Sequence, residues 1–154
     1  MIKIPNFNTF YISDIVCDYN GTIAKDGIVL ETLSPLFKTL AETYTIHVIT
    51  ADTFGSVEEQ LKAYNISIKI LNSDDHTEEK AAFIESLGAE NCIALGNGNN
   101  DRKMLLSAAV GIAVLGDEGC STQTLINSDL VCKSAQEALS LLIHPKRLIA
   151  TLRQ

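Results

Sequence analysis

Short apolar runs that end in polar clusters recur along the chain. Asp14-Ile15-Val16-Cys17-Asp18 is the first, and Thr45-Ile46-His47-Val48-Ile49-Thr50 has the same shape. Asn91-Cys92-Ile93-Ala94-Leu95-Gly96 and Val110-Gly111-Ile112-Ala113-Val114-Leu115 repeat it. Runs of this length without alternation suit strands covered on both faces, as in a parallel sheet. Ile66-Ser67-Ile68-Lys69-Ile70 alternates instead, which predicts a strand at a sheet edge with one wetter face. A weaker last strand is expected over Leu130 to Cys132.

Helical patterns fill the intervals. Leu33, Leu36, Phe37, Leu40, Ala41 and Tyr44 recur at steps of three and four, which is one face of a helix. Ser34 then Pro35 has the form of an N-cap followed by proline at the first helical position. Ser56-Val57-Glu58-Glu59 has the form of a capping box, opening a helix through Leu61 and Tyr64. Asp75 or Thr77 opens another, with Phe83, Ile84 and Leu87 facing inward and Gly88 ending it. Further helices fit residues 100 to 108, 120 to 127, and 134 to the end with a break near Pro145.

This alternation of strand and helix predicts an α/β fold. It should be a three-layer, doubly wound, Rossmann-like parallel sheet of about six strands in one domain over residues 1 to 154. One stretch departs from the alternation. Residues 20 to 30 carry turn residues at both ends and a Lys-Asp-Gly turn between apolar pairs, which reads as a β-hairpin after the first sheet strand. Residues 2 to 12 read as a second hairpin.

Composition narrows the classes of function. Nineteen acidic residues against twelve Lys and Arg give a net charge of −7, which speaks against a general nucleic-acid binder. No apolar run approaches the roughly 18 residues of a spanning helix. The first residues lack the basic stretch and apolar core of a signal peptide. Cys17, Cys92, Cys120 and Cys132 form no C-x-x-C pair, so they read as free thiols in a reducing, cytoplasmic setting, without structural zinc.

In doubly wound sheets ligands bind outside the carboxyl ends of the strands. Those ends carry Asp18-Tyr19-Asn20-Gly21-Thr22, then Thr50-Ala51-Asp52-Thr53, then Gly96-Asn97-Gly98-Asn99-Asn100-Asp101. Lys80 is expected in the first turn of the helix after the third sheet strand, against the preference of that end for anions. Taken singly, each cluster reads equally well as a turn, a loop or a cap. On one rim they offer carboxylates, hydroxyls, a lysine and Gly-rich amides, which is a site for a phosphate and a divalent ion. His47, His76 and His144 read as packing or solvated residues.

In that order the motifs resemble those of the haloacid-dehalogenase superfamily of phosphohydrolases. That family reads Asp-x-Asp-Gly-Thr, then Thr or Ser, then Lys, then Gly-Asp-Gly-x-Asn-Asp. The last motif, continuing Arg102-Lys103-Met104-Leu105, is most similar to the phosphorylation domain of P-type ATPases and its soluble relatives. The resemblance implies that Asp18 is a nucleophile that takes a phosphoryl group. It implies that Thr22, Thr50, Lys80 and Asn100 hold the phosphate, and that Mg²⁺ is placed by Asp18, the Asn20 carbonyl, Asn97 and Asp101. Metal and lysine would offset the repulsion between a carboxylate and a phosphate dianion.

Two positions depart from the family pattern. Asn20 stands where the family has an aspartate acting as general acid and base, a role worth about 10²–10⁴-fold. Asn97 stands where the family has an acidic metal ligand. The segments flanking Thr50 hold one hairpin, two helices and a strand, with no room for a cap domain. The site should therefore be open; the resemblance implies either a homo-oligomer whose neighbouring subunit serves as lid or a site that accepts large substrates. The substrate expected is a small phosphorylated molecule or a phosphoprotein. Two other classes fit less well: a non-catalytic descendant that binds phosphate or a protein partner, and a receiver domain, which would place its acceptor on the third strand.

Overall fold

The structure is a computed structural model that describes residues 1–52 and 55–154. In chain order, β1 (Ile2–Ile4) and β2 (Asn8–Phe10) form an antiparallel hairpin ahead of β3 (Asp14–Asp18). A second hairpin, β4 (Ala24–Lys25) and β5 (Ile28–Val29), follows, then α1 (Ser34–Leu40) and β6 (Thr45–Thr50). Next come α2 (Val57–Leu61), β7 (Ile66–Ile70), α3 (His76–Leu87) and β8 (Cys92–Gly96). The chain continues through α4 (Arg102–Ser107), β9 (Val110–Val114), α5 (Thr122–Ile126), β10 (Leu130–Cys132), α6 (Ala135–Ile143) and α7 (Pro145–Leu152).

Six strands make one parallel sheet in the order β10-β9-β8-β3-β6-β7. The chain winds outward from β3 through β6 to β7, then returns to β8 and winds the other way. The order reverses between β3 and β8, and such a reversal opens a crevice at the carboxyl ends of the two strands. β7 is at an edge, as its alternation predicts.

Successive residues of each strand serve opposite layers. Ile15, Cys17, Ile46, Val48, Ile93, Leu95, Val110, Ile112 and Val114 pack with Phe37, Leu40, Leu139 and Leu148 from α1, α6 and α7. Val16, Ile49, Ala94 and Ala113 face the other way, onto Ile84 of α3 and Met104 and Leu105 of α4. The second face is built of smaller residues, so α4 lies close to the sheet. Gly111 marks the closest approach, since a β-carbon there would overlap the Leu105 carbonyl.

Helix boundaries differ from the sequence expectation at α1, which ends at Leu40 short of Ala41 and Tyr44, and at α2. Ser34 is not a cap: a 3-10 turn over Glu31–Leu33 leads directly into α1, and the Ser34 backbone is already helical. Ser56 makes no capping bond either; the Val57 N–H is taken by the Asp52 carboxylate at 3.4 Å, and α2 stops at Leu61, short of Tyr64. At α1 a local backbone turn, and at α2 the Asp52 side chain, stands in for the expected serine cap. Asp75 does cap α3, accepting the Glu78 N–H at 3.1 Å, and Pro145 opens α7. No helix among the described residues is long and apolar enough to cross a membrane.

The tight contact at Gly111 makes a prediction. Gly111→Ala should destabilise the fold by about 1–3 kcal/mol, the usual cost of overpacking, read as a lower denaturant midpoint with an unchanged slope.

Candidate functional site

Asp18 ends β3, the strand at the crevice, and its even-numbered position turns its side chain to the α3 and α4 face. Lys80 stands at the start of the second turn of α3 and is 2% exposed. Its ammonium donates to Asp18 Oδ1 at 2.7 Å, to Asp101 Oδ1 at 2.8 Å and to Asn100 Oδ1 at 3.0 Å. All three N–H bonds are thereby used. The lysine sits against the helix dipole because two carboxylates hold it there.

The turn after β3 completes the near side. The Tyr19 carbonyl accepts the N–H groups of Thr22, Ile23 and Ala24, and Gly21 takes a φ of +79°. This tight turn folds Thr22 back over Asp18, its hydroxyl 3.2 Å from Asp18 Oδ2 and 3.2 Å from Asn97 Oδ1. A side chain at residue 21 would run into the Asn97 amide. Asn20 is exposed, and its carbonyl accepts no hydrogen bond among the described residues.

The loop after β8 closes the far side. Asp101 is fully buried and accepts the N–H groups of Asn97 and Gly98 on Oδ2, at 3.0 and 2.9 Å. With Oδ1 on Lys80, Asp101 shapes the loop and orients the lysine. Thr50 lies on β6, one residue past the partner of Asp18, and is buried. Its hydroxyl accepts the Asp52 N–H at 3.2 Å and so keeps its own proton to donate. Thr53, the last residue of that cluster, lies outside the described residues.

Several supporting residues carry no signal in the sequence. Asn97 donates through Nδ2 to the Gly119 carbonyl at 3.0 Å, and the Ser121 N–H donates to the Asn97 carbonyl at 2.7 Å. Buried Thr124 donates to the Gly98 carbonyl. The loop after β9 thus braces the loop after β8. On the other side, the Tyr19 hydroxyl and Gln60 Nε2 both donate to the Gly27 carbonyl, at 2.8 and 2.7 Å, and Gln60 Oε1 accepts the Val29 N–H at 2.7 Å. These bonds tie the β4–β5 hairpin to α2 and to the residue after Asp18. Beside Gly21 and Thr22 lies a cavity of about 170 Å³, with Lys25 and Asp117 paired at 3.1 Å at its rim. Among the described residues no histidine side chain hydrogen-bonds to the site. His47 meets Asp14 at 2.7 Å at the opposite end of β3, His76 opens α3, and His144 precedes α7.

An all-oxygen set is available for a hard cation. Asp18 Oδ2 and Asn97 Oδ1 both face one Thr22 hydroxyl, which has a single proton, so one oxygen is left without a donor. The open Asn20 carbonyl is the third. These donors suit Mg²⁺ but bring only one negative charge. No cluster of three His, Cys, Asp or Glu able to hold a metal occurs among the described residues.

The electrostatics follow from counting charges. Two buried carboxylates share one ammonium. Burial, and then the neighbouring Asp101 charge, push the Asp18 carboxyl up to about 7, against the pull of Lys80 and the Thr22 hydroxyl. Burial works against the Lys80 charge, but Asp18 and Asp101 together hold its pKa above the usual lysine value. An acid raised on folding adds stability at low pH and loses it as pH rises through its folded value. The metal-free protein should therefore lose stability between about pH 4 and pH 7 relative to Asp18→Asn. At pH 8 the variant should melt higher by at least about 2 °C, the shift expected for 1 kcal/mol in a chain of this length. Equal slopes of melting temperature against pH would remove Asp18 as the source.

No family profile matches the chain. An uncharacterized protein of Methanocaldococcus jannaschii, MJ0073, is 46% identical over 78 residues, which is 48% of this chain and 84% of that protein. Among solved structures, the 3-deoxy-D-manno-octulosonate 8-phosphate phosphatase of Moraxella catarrhalis, determined with magnesium ion, phosphate ion and KDO, is similar over 93% of this chain and 94% of its own. The TM-score is 0.69 and the identity 21%. A putative HAD superfamily (subfamily III A) hydrolase of Legionella pneumophila is similar over 92% and 87%, with a TM-score of 0.72 and 15% identity. The cobalt-bound form of the deoxy-D-mannose-octulosonate 8-phosphate phosphatase of Haemophilus influenzae covers 88% of each chain at a TM-score of 0.70 and 14% identity. The chain has the fold of the haloacid-dehalogenase superfamily hydrolases, and it belongs to one family with the Methanocaldococcus jannaschii protein.

Proposed function

We propose that the chain is a phosphohydrolase or phosphotransferase that acts through an aspartyl phosphate at Asp18, on a small phosphorylated molecule or a phosphoprotein. The observation that carries this reading is the 2.7 Å contact between the Asp18 carboxylate and the Lys80 ammonium at the carboxyl end of a central strand. A carboxylate attacks a phosphate dianion only where positive charge offsets their repulsion. Lys80 supplies part of that charge. Mg²⁺, held by Asp18, the Asn97 amide oxygen and the Asn20 carbonyl, would supply the rest and polarise the phosphate. The Thr50 hydroxyl and the Nδ2 of Asn100 would donate to its oxygens. The cavity beside Thr22 would take the remainder of a small substrate.

Four free cysteines, three of them buried, are in keeping with a reducing, cytoplasmic setting. A homo-oligomer whose neighbour covers the open site belongs to the same reading, as does a single domain spanning residues 1–154. A second reading, a descendant that binds phosphate or a partner without catalysis, is favoured by the two amides at Asn20 and Asn97.

The two readings separate on leaving groups. A site without an acid near the leaving oxygen should favour substrates whose leaving group is already a stable anion. With Mg²⁺, acyl phosphates and p-nitrophenyl phosphate should be cleaved faster than alkyl phosphates, and Asp18→Asn should abolish both activities. If the folded protein turns over none of these, the binding reading replaces the enzyme.

A further inference from the structure

The turn between β9 and α5 carries two carboxylates, Asp117 and Glu118, at its tip. Gly116 to Gly119 close this turn, with the Gly119 N–H donated to the Gly116 carbonyl at 3.0 Å and Gly119 at a φ of +77°. Both feet of the turn rest on the surroundings of Asp18. A β-carbon at Gly116 would stand 3.1 Å from the Gly21 carbonyl, and the Gly119 carbonyl takes the Asn97 amide at 3.0 Å. The tip is thereby fixed over the cavity of about 170 Å³ that Gly21 and Thr22 also line. Thr22 is the wall shared with the nucleophile, since its hydroxyl lies 3.2 Å from Asp18 Oδ2.

Four charged side chains line that cavity: Lys25, Lys133, Asp117 and Glu118. The protein itself answers three of them. Lys25 meets Asp117 at 3.1 Å, and Lys133 meets Glu137, a residue outside the cavity, at 3.4 Å. Glu118 makes no side-chain hydrogen bond or ion pair among the described residues, and it faces apolar lining from Leu30 and Leu115. A guest anion would have to draw a lysine away from its carboxylate and would meet the Glu118 charge. A guest cation displaces nothing and finds a counter-ion in place. The cavity therefore discriminates by charge, rejecting an acidic group and accepting an ammonium.

We propose that Glu118 selects the substrate: the phosphate lies against Asp18 and Lys80, and the remainder of the molecule, in the cavity, carries an ammonium group that pairs with the Glu118 carboxylate. The substrate class is a small phosphate compound bearing an amino group. This rests on the reading of Asp18 as the nucleophile of a phosphohydrolase or phosphotransferase. Glu118 acts on the charge of the substrate and takes no part in making or breaking the bond to phosphorus.

The test uses three aryl phosphates that share a phenol leaving group and differ in the charge at the end of one side arm: p-(aminoethyl)phenyl, p-ethylphenyl and p-(carboxyethyl)phenyl phosphate, each with Mg²⁺. In the wild type kcat/KM should fall in that order, by at least about fivefold from first to last, which is what one exposed ion pair can supply. The difference should lie in KM, because a charge remote from the reacting atoms binds ground state and transition state alike. Glu118→Gln should bring the three values together, and Glu118→Lys should invert their order. Glu118 is exposed on a turn, and melting curves of both variants check the fold. Equal values in the wild type, or a preference for the carboxylate, would overturn the proposal and leave the phosphohydrolase reading standing. So would an order that survives in Glu118→Gln, since the preference would then arise elsewhere. Cleavage of none of the three would overturn the phosphoryl-transfer reading itself. Titration calorimetry of the same compounds then reads the cavity without turnover, and equal affinities there would overturn the role of Glu118 as well.

Discussion

Everything at the carboxyl rim of the sheet is arranged around the Lys80 ammonium. It joins three parts of the chain that are remote in sequence: the end of β3, the second turn of α3 and the loop before α4. Its two carboxylate partners are buried, so those bonds are made where water cannot substitute for them. Removing one member of a buried ion pair costs about 3–5 kcal/mol, because the remaining charge is stranded. Here the members are three, with one positive and two negative charges, and the surplus is what sets the site's chemistry. Asp101 spends its second oxygen on the N–H groups of Asn97 and Gly98. The position of the lysine and the shape of the loop are therefore one constraint.

The same constraint explains which parts were legible in the sequence. β3, β6, β8 and β9 are covered on both faces, so their apolar runs are unbroken and their polar ends stand out. Asp18, Lys80, Asn100 and Asp101 could be placed on one rim from order alone, since the winding of the sheet fixes where strand ends go. What the sequence does not display is who bonds to whom. The bonds from the Asn97 and Gly98 N–H groups to Asp101 are not displayed, because backbone partners have no residue-type signature. The caps expected at Ser34 and Ser56 failed because a 3-10 turn and the Asp52 carboxylate took their places. Gln60 and Gly119 were silent because their work is done on, or by, carbonyl groups.

Asn97 shows how a departure from a family pattern is fitted into its surroundings. Its amide donates to the Gly119 carbonyl and accepts toward Thr22. A carboxylate could keep the second bond but would set its negative oxygen against the Gly119 carbonyl. The loop after β9 is thus adapted to an amide at this position. The charge removed from the site and the bond gained by the brace are two sides of one substitution.

The hairpin beside the site is held at its turn, by Tyr19 and Gln60 on the Gly27 carbonyl, and at its second arm, by Gln60 on the Val29 N–H. A flap bound in this way to α2 and to the residue after the nucleophile is a wall rather than a door. Exchange of small molecules with the site then proceeds without waiting for a segment to swing aside, and water arrives as freely as substrate. Whatever lifetime a reactive group attains on Asp18 must come from the chemistry of its neighbours, because nothing mechanical in this hairpin shuts the solvent out.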